Sequence, residues 1–176
     1  KAYRKMCSVF ALPSRKSIMD LLRKIPLEPG INFQIIEHLK LVSGFENELD
    51  KTCVLLFDEI SLSAGVHYFQ SEDKIIDVED LGRNVRRTKF ADKVLTFIVK
   101  GVKRKYKQPI SYYFAANGIK THDLVVALKE IISAVQSAGL NIIGTVCDQA
   151  CTNVAAVNIL MRETVHDYVK MSVEKR

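Results

Sequence analysis

The sequence predicts an α/β domain, a mixed β-sheet with flanking helices, preceded by a small helical segment. Three observations carry this. The runs "CVLLFDEISL", "KVLTFIVKGV", "ISYYFAA" and "NIIGTVCDQ" have the length and the β-branched and aromatic content of strands. A capped amphipathic stretch, "THDLVVALKEIISAV", separates the last of them from the others. An apolar strand that returns after a helical crossover pairs in parallel with an earlier strand, whereas strands joined by short polar turns pair antiparallel. Both kinds of pairing in one sheet make it mixed.

Residues 1–50 are expected to form the helical segment and residues 51–176 the domain. In "SRKSIMDLLRKI" the residues Ile18, Leu21, Leu22 and Ile25 recur at helical spacing, with Ser14 or Ser17 as N-cap. "PLEPG" breaks this helix, and "INFQIIEHLKLV" resumes the pattern with Ile31, Ile35, Ile36 and Leu39. Arg15, Lys16, Arg23 and Lys24 leave a helix-turn-helix reader open beside the favoured reading, an arm that packs on the domain. After the strand Cys53–Leu62, "GVHYFQ" and "KIIDVE" read as a hairpin across the turn "SEDK", and "EDLGRNVRRTKFAD" reads as a loop. The next two strands are joined by "KRKYKQP". The crossover helix takes Thr121 or Asp123 as cap and stops at Gly139, which suits a left-handed C-cap. "NIIGTVCDQ" is expected to be a fully apolar strand, and a last helix runs from about Thr152 to Val169.

The composition, 48% hydrophobic and 26% charged, is that of a folded domain and excludes a disordered chain. No apolar run approaches the roughly 20 residues of a membrane helix, so no membrane partner is expected. Charges throughout Lys1–Phe10 exclude a signal peptide there, and a start at Lys1 instead of Met reads as an excised piece. A net charge of +6 suits a polyanionic partner. Cys7, Cys53, Cys147 and Cys151 lack paired spacing and are expected to be reduced and buried; zinc at Cys147 and Cys151 is disfavoured for want of further ligands. His38, His67, His122 and His166 have no Ser or Cys partner at a strand-to-helix elbow.

Two carboxylates carry the chemistry. Asp58 and Asp148 each stand at the polar end of an apolar strand. If those strands are parallel neighbours, both acids reach one edge of the sheet, where two like charges call for a divalent cation between them. An Asp ahead of a helix is also a common turn or cap residue, and spacing alone leaves both readings open. Glu59 points to the opposite face from Asp58 and is structural or supporting. Gln149 and Asn153, near the start of the last helix, either cap it or face the site. Lys103, Arg104, Lys105 and Lys107 in "KGVKRKYKQP", and Arg86 and Arg87 in "RNVRRTK", are candidate phosphate contacts, with solvated surface charge as the alternative.

The segments "LPSRKSIMDLL", "LLFDEISLSAGVHY", "FIVKGVKRKYKQPISYYF" and "AGLNIIGTVCDQACTNVAAVNIL" resemble the P-element transposase family, including the THAP-domain transposases, in order and with similar gaps from Leu12 to Leu160. The resemblance implies an RNase H-like domain. It implies that Asp58 and Asp148 are catalytic and metal-ligating, the first two acids of a triad that holds Mg²⁺, with Mn²⁺ substituting. It further implies Mg²⁺-dependent DNA strand cleavage and strand transfer by a nuclear homo-oligomer acting on transposon ends and target DNA, with GTP as cofactor of the complete protein. In the family the third acid lies downstream of a GTP-binding insertion. Glu163, Asp167 and Glu174 do not match its position, and neither a phosphate loop nor a C2CH zinc module occurs in these residues. The fragment alone is therefore expected to be inactive. The other open reading is a domesticated, catalytically silent relative that binds DNA or protein.

Overall fold

The computed structural model describes residues 2–7, 9–22, 28–42, 47–63, 68–69, 74–75, 78–83 and 85–174. In chain order the elements are α1 (Ala2–Cys7), α2 (Arg15–Leu22), β1 (Gly30–Ile31), α3 (Phe33–Val42), β2 (Thr52–Ser61), β3 (Tyr68–Phe69), β4 (Lys74–Ile75), β5 (Val78–Asp80), β6 (Arg86–Phe90), β7 (Lys93–Gly101), β8 (Lys107–Ala115), α4 (Thr121–Ser137), β9 (Asn141–Val146) and α5 (Cys151–Glu174). Arg23, Lys24, Ile25, His67 and residues 71–73 of the expected "SEDK" turn lie outside the described residues.

The seven-stranded sheet runs β6-β5-β8-β7-β2-β9, with β1 also on β8. β2 pairs antiparallel with β7 and parallel with β9, the mixed arrangement that the crossover through α4 requires. Odd-numbered residues of β2 and β7 face the core: Cys53, Leu55 and Phe57, then Leu95, Phe97 and Val99. Leu124, Leu128, Ile131 and Val135 of α4 complete it, an i, i+4, i+7, i+11 stripe. Phe57 stacks on Phe97 at 5.4 Å between ring centroids, and Phe97 meets Tyr113 edge-on at 5.8 Å. Truncating Phe57 to Ala would cost about 3–5 kcal/mol.

Several elements differ from expectation, each for a physical reason. Ser14, one of the two expected caps, does cap α2, its hydroxyl accepting the Ser17 N–H at 3.0 Å, and Asn32 caps α3 through the Ile35 N–H at 3.1 Å. Between them β1 joins the sheet, Gly30 opposite Tyr112, so the N-terminal segment is not purely helical. The expected loop at residues 79–92 contains β6, an exposed edge strand whose sequence "RRTKF" shows no apolar alternation. Gly82 (φ +69°) and Arg83 (φ +50°) supply the left-handed turn into it. The β3–β4 hairpin forms its own two-stranded sheet, so "KIIDVE" is shared between two sheets. β8 begins at Lys107, because a register shift between Phe97 and Ile98 absorbs the extra residue around Pro109. Lys120 occupies the cap of α4 without a side-chain bond, in place of Thr121 or Asp123. β9 lies at the sheet edge and leaves Ile143 60% and Val146 54% exposed, unlike a buried strand. All four cysteines are free, but only Cys53 is buried; Cys7 and Cys151 are exposed.

Candidate metal centre

Strand alternation sends Asp58 and Glu59 to opposite faces. Cys53, Leu55 and Phe57 are buried on the core side, so Glu59 faces that side and Asp58 the other, where it is exposed. A carboxylate turned toward a core needs partners. Glu59 has two: Lys93 Nζ donates to Oε2 at 3.0 Å and the Ile119 N–H to Oε1 at 2.8 Å. A Cβ on Gly118, where φ is +82°, would stand 3.2 Å from the same carboxylate, so glycine suits the loop on both counts. The bond to Glu59 is the main cause that raises the Lys93 pKa, with the charges of Asp92 and Asp148 adding to it. The cation that this inward-turned carboxylate needs is thus Lys93.

Asp58 is not at a strand end. β2 continues to Ser61 against β7, with Asp58 opposite Thr96, while β9 ends at Val146 opposite Leu56. Asp58 therefore stands on a rigid strand just where its parallel neighbour departs. The Thr96 hydroxyl donates to the Asp58 carbonyl oxygen at 3.4 Å, and the Glu59 N–H donates to Asp58 Oδ1 at 2.9 Å. The β2–β9 pairing ends at Leu56 opposite Val146, two residues before each acid. Both acids line one depression of about 390 Å³, with Leu56, Ile60, Thr96 and Lys107.

Asp148 is held by its own loop. Oδ1 accepts the Ala150 N–H at 3.1 Å and the Asn153 side-chain amide at 2.6 Å. The first bond of α5 runs from the Val154 N–H to the Ala150 carbonyl, so Asp148 makes a turn ahead of the helix instead of capping it. Neither Asp58 nor Asp148 forms an ion pair among the described residues, and each keeps one carboxylate oxygen without a protein partner there. Two such hard oxygen donors fit Mg²⁺, which takes few protein carboxylates and retains waters. No group of three or more His, Cys, Asp or Glu able to hold a metal occurs among the described residues.

The basic candidates are placed unevenly. Lys103 Nζ lies 2.9 Å and Arg104 Nε 3.4 Å from Asp50. The Lys103 hydrogen bond, against the effect of burial, lowers the Asp50 pKa. Arg86 Nε is 4.0 Å from Asp80, and Arg87 bridges Glu79 at 3.2 Å and Asp123 at 3.5 Å, tying β5 to α4. Lys105 is exposed in the β7–β8 turn, and Lys107 reaches the acid-lined depression. Sequence reasoning missed Lys93, whose partner Glu59 is 34 residues away with no local signal linking them. Asn153 was legible as a residue near the site; its bond to Asp148 was not.

A family model, TNP-like, RNase H N-terminal domain, matches residues 27–161. The chain belongs to this family. The TNP-like domain is 30% identical over 105 residues to the "Transposable element P transposase" of Drosophila melanogaster, a match covering 60% of the chain and 12% of that protein. Its fold is similar to a chain of the "Drosophila P element transposase strand transfer complex", with a TM-score of 0.65 and 25% identity, over 90% of this chain and 32% of that one. The TNP-like domain thus spans a minor part of each relative's length. It is a transposase-related unit with an RNase H-like mixed sheet.

Proposed function

We propose that this chain is the part of a P-element-like DNA transposase that supplies two of its catalytic carboxylates, Asp58 and Asp148. The observation that carries the reading is the parallel pairing of β2 with β9, from which both acids reach one depression. Asp58 presents a carboxylate from a strand fixed on its β7 side, and Asp148 presents one from a turn fixed by two donors. Asp58 and Asp148 would hold a divalent cation, Mg²⁺ or Mn²⁺, which when bound would supply Lewis-acid activation of a water nucleophile and of a phosphodiester. Lys107, lining the same depression, attracts the DNA backbone, and Lys105 extends that charge along the turn. Lys103, Arg104, Arg86 and Arg87 contribute to the field but hold acids of this chain first. In the complete protein this chemistry is strand cleavage followed by strand transfer, in the nucleus and in an oligomer, with GTP bound by a part that these residues do not contain.

The test uses the complete protein. Asp58→Ala and Asp148→Ala should each abolish Mg²⁺-dependent cleavage of transposon-end DNA while leaving DNA binding within about threefold. Unchanged cleavage in either variant would refute the assignment. Binding without cleavage in the unmodified protein would identify a catalytically silent relative.

A further inference from the structure

We propose that Asn153 is a positioning residue for Asp148: its buried carboxamide fixes the carboxylate so that one oxygen faces the cation. The inference rests on the metal reading of Asp148 above. Asn153 lies in the first turn of α5 and is only 5% exposed. A buried amide is unfavourable unless it is hydrogen-bonded. An Asn at a helix start usually satisfies the backbone around it. Here Nδ2 donates instead to Asp148 Oδ1, at 2.6 Å.

The choice of side chain matters chemically. Asp148 sits on an exposed connection between β9 and α5. A carboxylate there would have to surrender rotamer freedom on binding a ligand. The Ala150 N–H and the Asn153 amide converge on the same oxygen, Oδ1, which leaves Oδ2 for the depression. Both donors are neutral, so they restrain the carboxylate without cancelling the charge that attracts a cation. A lysine in place of Asn153 would supply a donor but oppose the metal. An aspartate would keep the shape and replace the donor with a second acceptor. Partners of this kind affect metal affinity by about 10–100-fold in well-formed sites.

The experiment measures Mn²⁺ binding to the complete protein by electron paramagnetic resonance. Wild type, Asn153→Ala and Asp148→Ala are compared, with melting temperatures recorded alongside. Asn153→Ala should bind Mn²⁺ about tenfold more weakly than wild type at similar melting temperature. A second readout needs no Asn153 variant: the Asn153 side-chain amide resonances should shift during a Mg²⁺ titration of wild type and stay still in Asp148→Ala. Mn²⁺ affinity within twofold of wild type in folded Asn153→Ala overturns the positioning role and leaves the metal site intact. So does an amide signal indifferent to Mg²⁺ in a wild type that binds Mn²⁺. No Mn²⁺ binding by wild type above that of Asp148→Ala overturns both the metal site and this inference.

Discussion

Asp58 and Glu59 share a peptide bond and almost nothing else. Glu59 braces the loop before α4 by accepting from Ile119 and Lys93, whereas among the described residues the Asp58 carboxylate accepts only from the Glu59 backbone N–H. Glu59→Ala strands the Ile119 N–H and should cost about 1–3 kcal/mol in urea unfolding. Asp58→Ala should stay within about 0.5 kcal/mol, as surface changes do, while removing Mn²⁺ binding. The pH dependence has a definite sign. Because Lys93 has a raised pKa in the fold, its pairing stabilises fully below the ordinary lysine value of 10.5 and is lost as pH rises through the higher folded value. Alkaline unfolding curves of Glu59→Gln should lack that loss. At this scale the sequence was partly readable. The two aspartates announced themselves as charges ending apolar runs, but Lys93 looked like any strand-opening lysine until the fold set it beside Glu59.

The β7–β8 hairpin is the element with the tightest constraint. A Cβ on Gly101 would meet the Arg104 carbonyl oxygen at 2.4 Å and the Tyr106 ring at 2.5 Å. Tyr106 is wedged in by burial beside Cys53, which pushes the phenol up to about 12 and the thiol to about 11. Gly101→Ala should therefore destabilise the hairpin by about 1–3 kcal/mol, read as a lower urea midpoint. Thiol labelling at neutral pH should modify Cys7 and Cys151 in the native protein and Cys53 only after unfolding. Long apolar strands and α4 were legible because their periodicity reports burial directly. β6 was not, since an edge strand that faces water on nearly every residue has no pattern to show. β1, two residues in length, owes its conformation wholly to β8.

For the molecule as a whole, charge is abundant, and four of the six basic candidates, Arg86, Arg87, Lys103 and Arg104, pair with acids of this chain. Arg87 directs its guanidinium to Glu79 and Asp123, and Asp50 holds Lys103 and Arg104. Replacing Lys105 and Lys107 together by Ala should lower the salt dependence of DNA binding by about two units of slope, near 0.9 for each phosphate no longer neutralised. Arg87→Ala should leave that slope unchanged and lower stability instead. The net charge of +6 pointed to a polyanion, yet it did not reveal which cations are available. That follows from pairings between residues distant in sequence.

The parallel pairing of β2 with β9 has a thermodynamic corollary. Asp58 and Asp148 come from opposite sides of the α4 crossover, so a ligand that requires both is invisible to the unfolded chain. Such a ligand is linked to folding by mass action. At one hundred times its dissociation constant it would deepen the native well by about 2.7 kcal/mol. Conversely, any substitution that loosens the α4 core, far from either carboxylate, would weaken cation binding by depopulating the closed crossover. Under the proposed metal reading, cation affinity would gauge how firmly β9 is joined to β2.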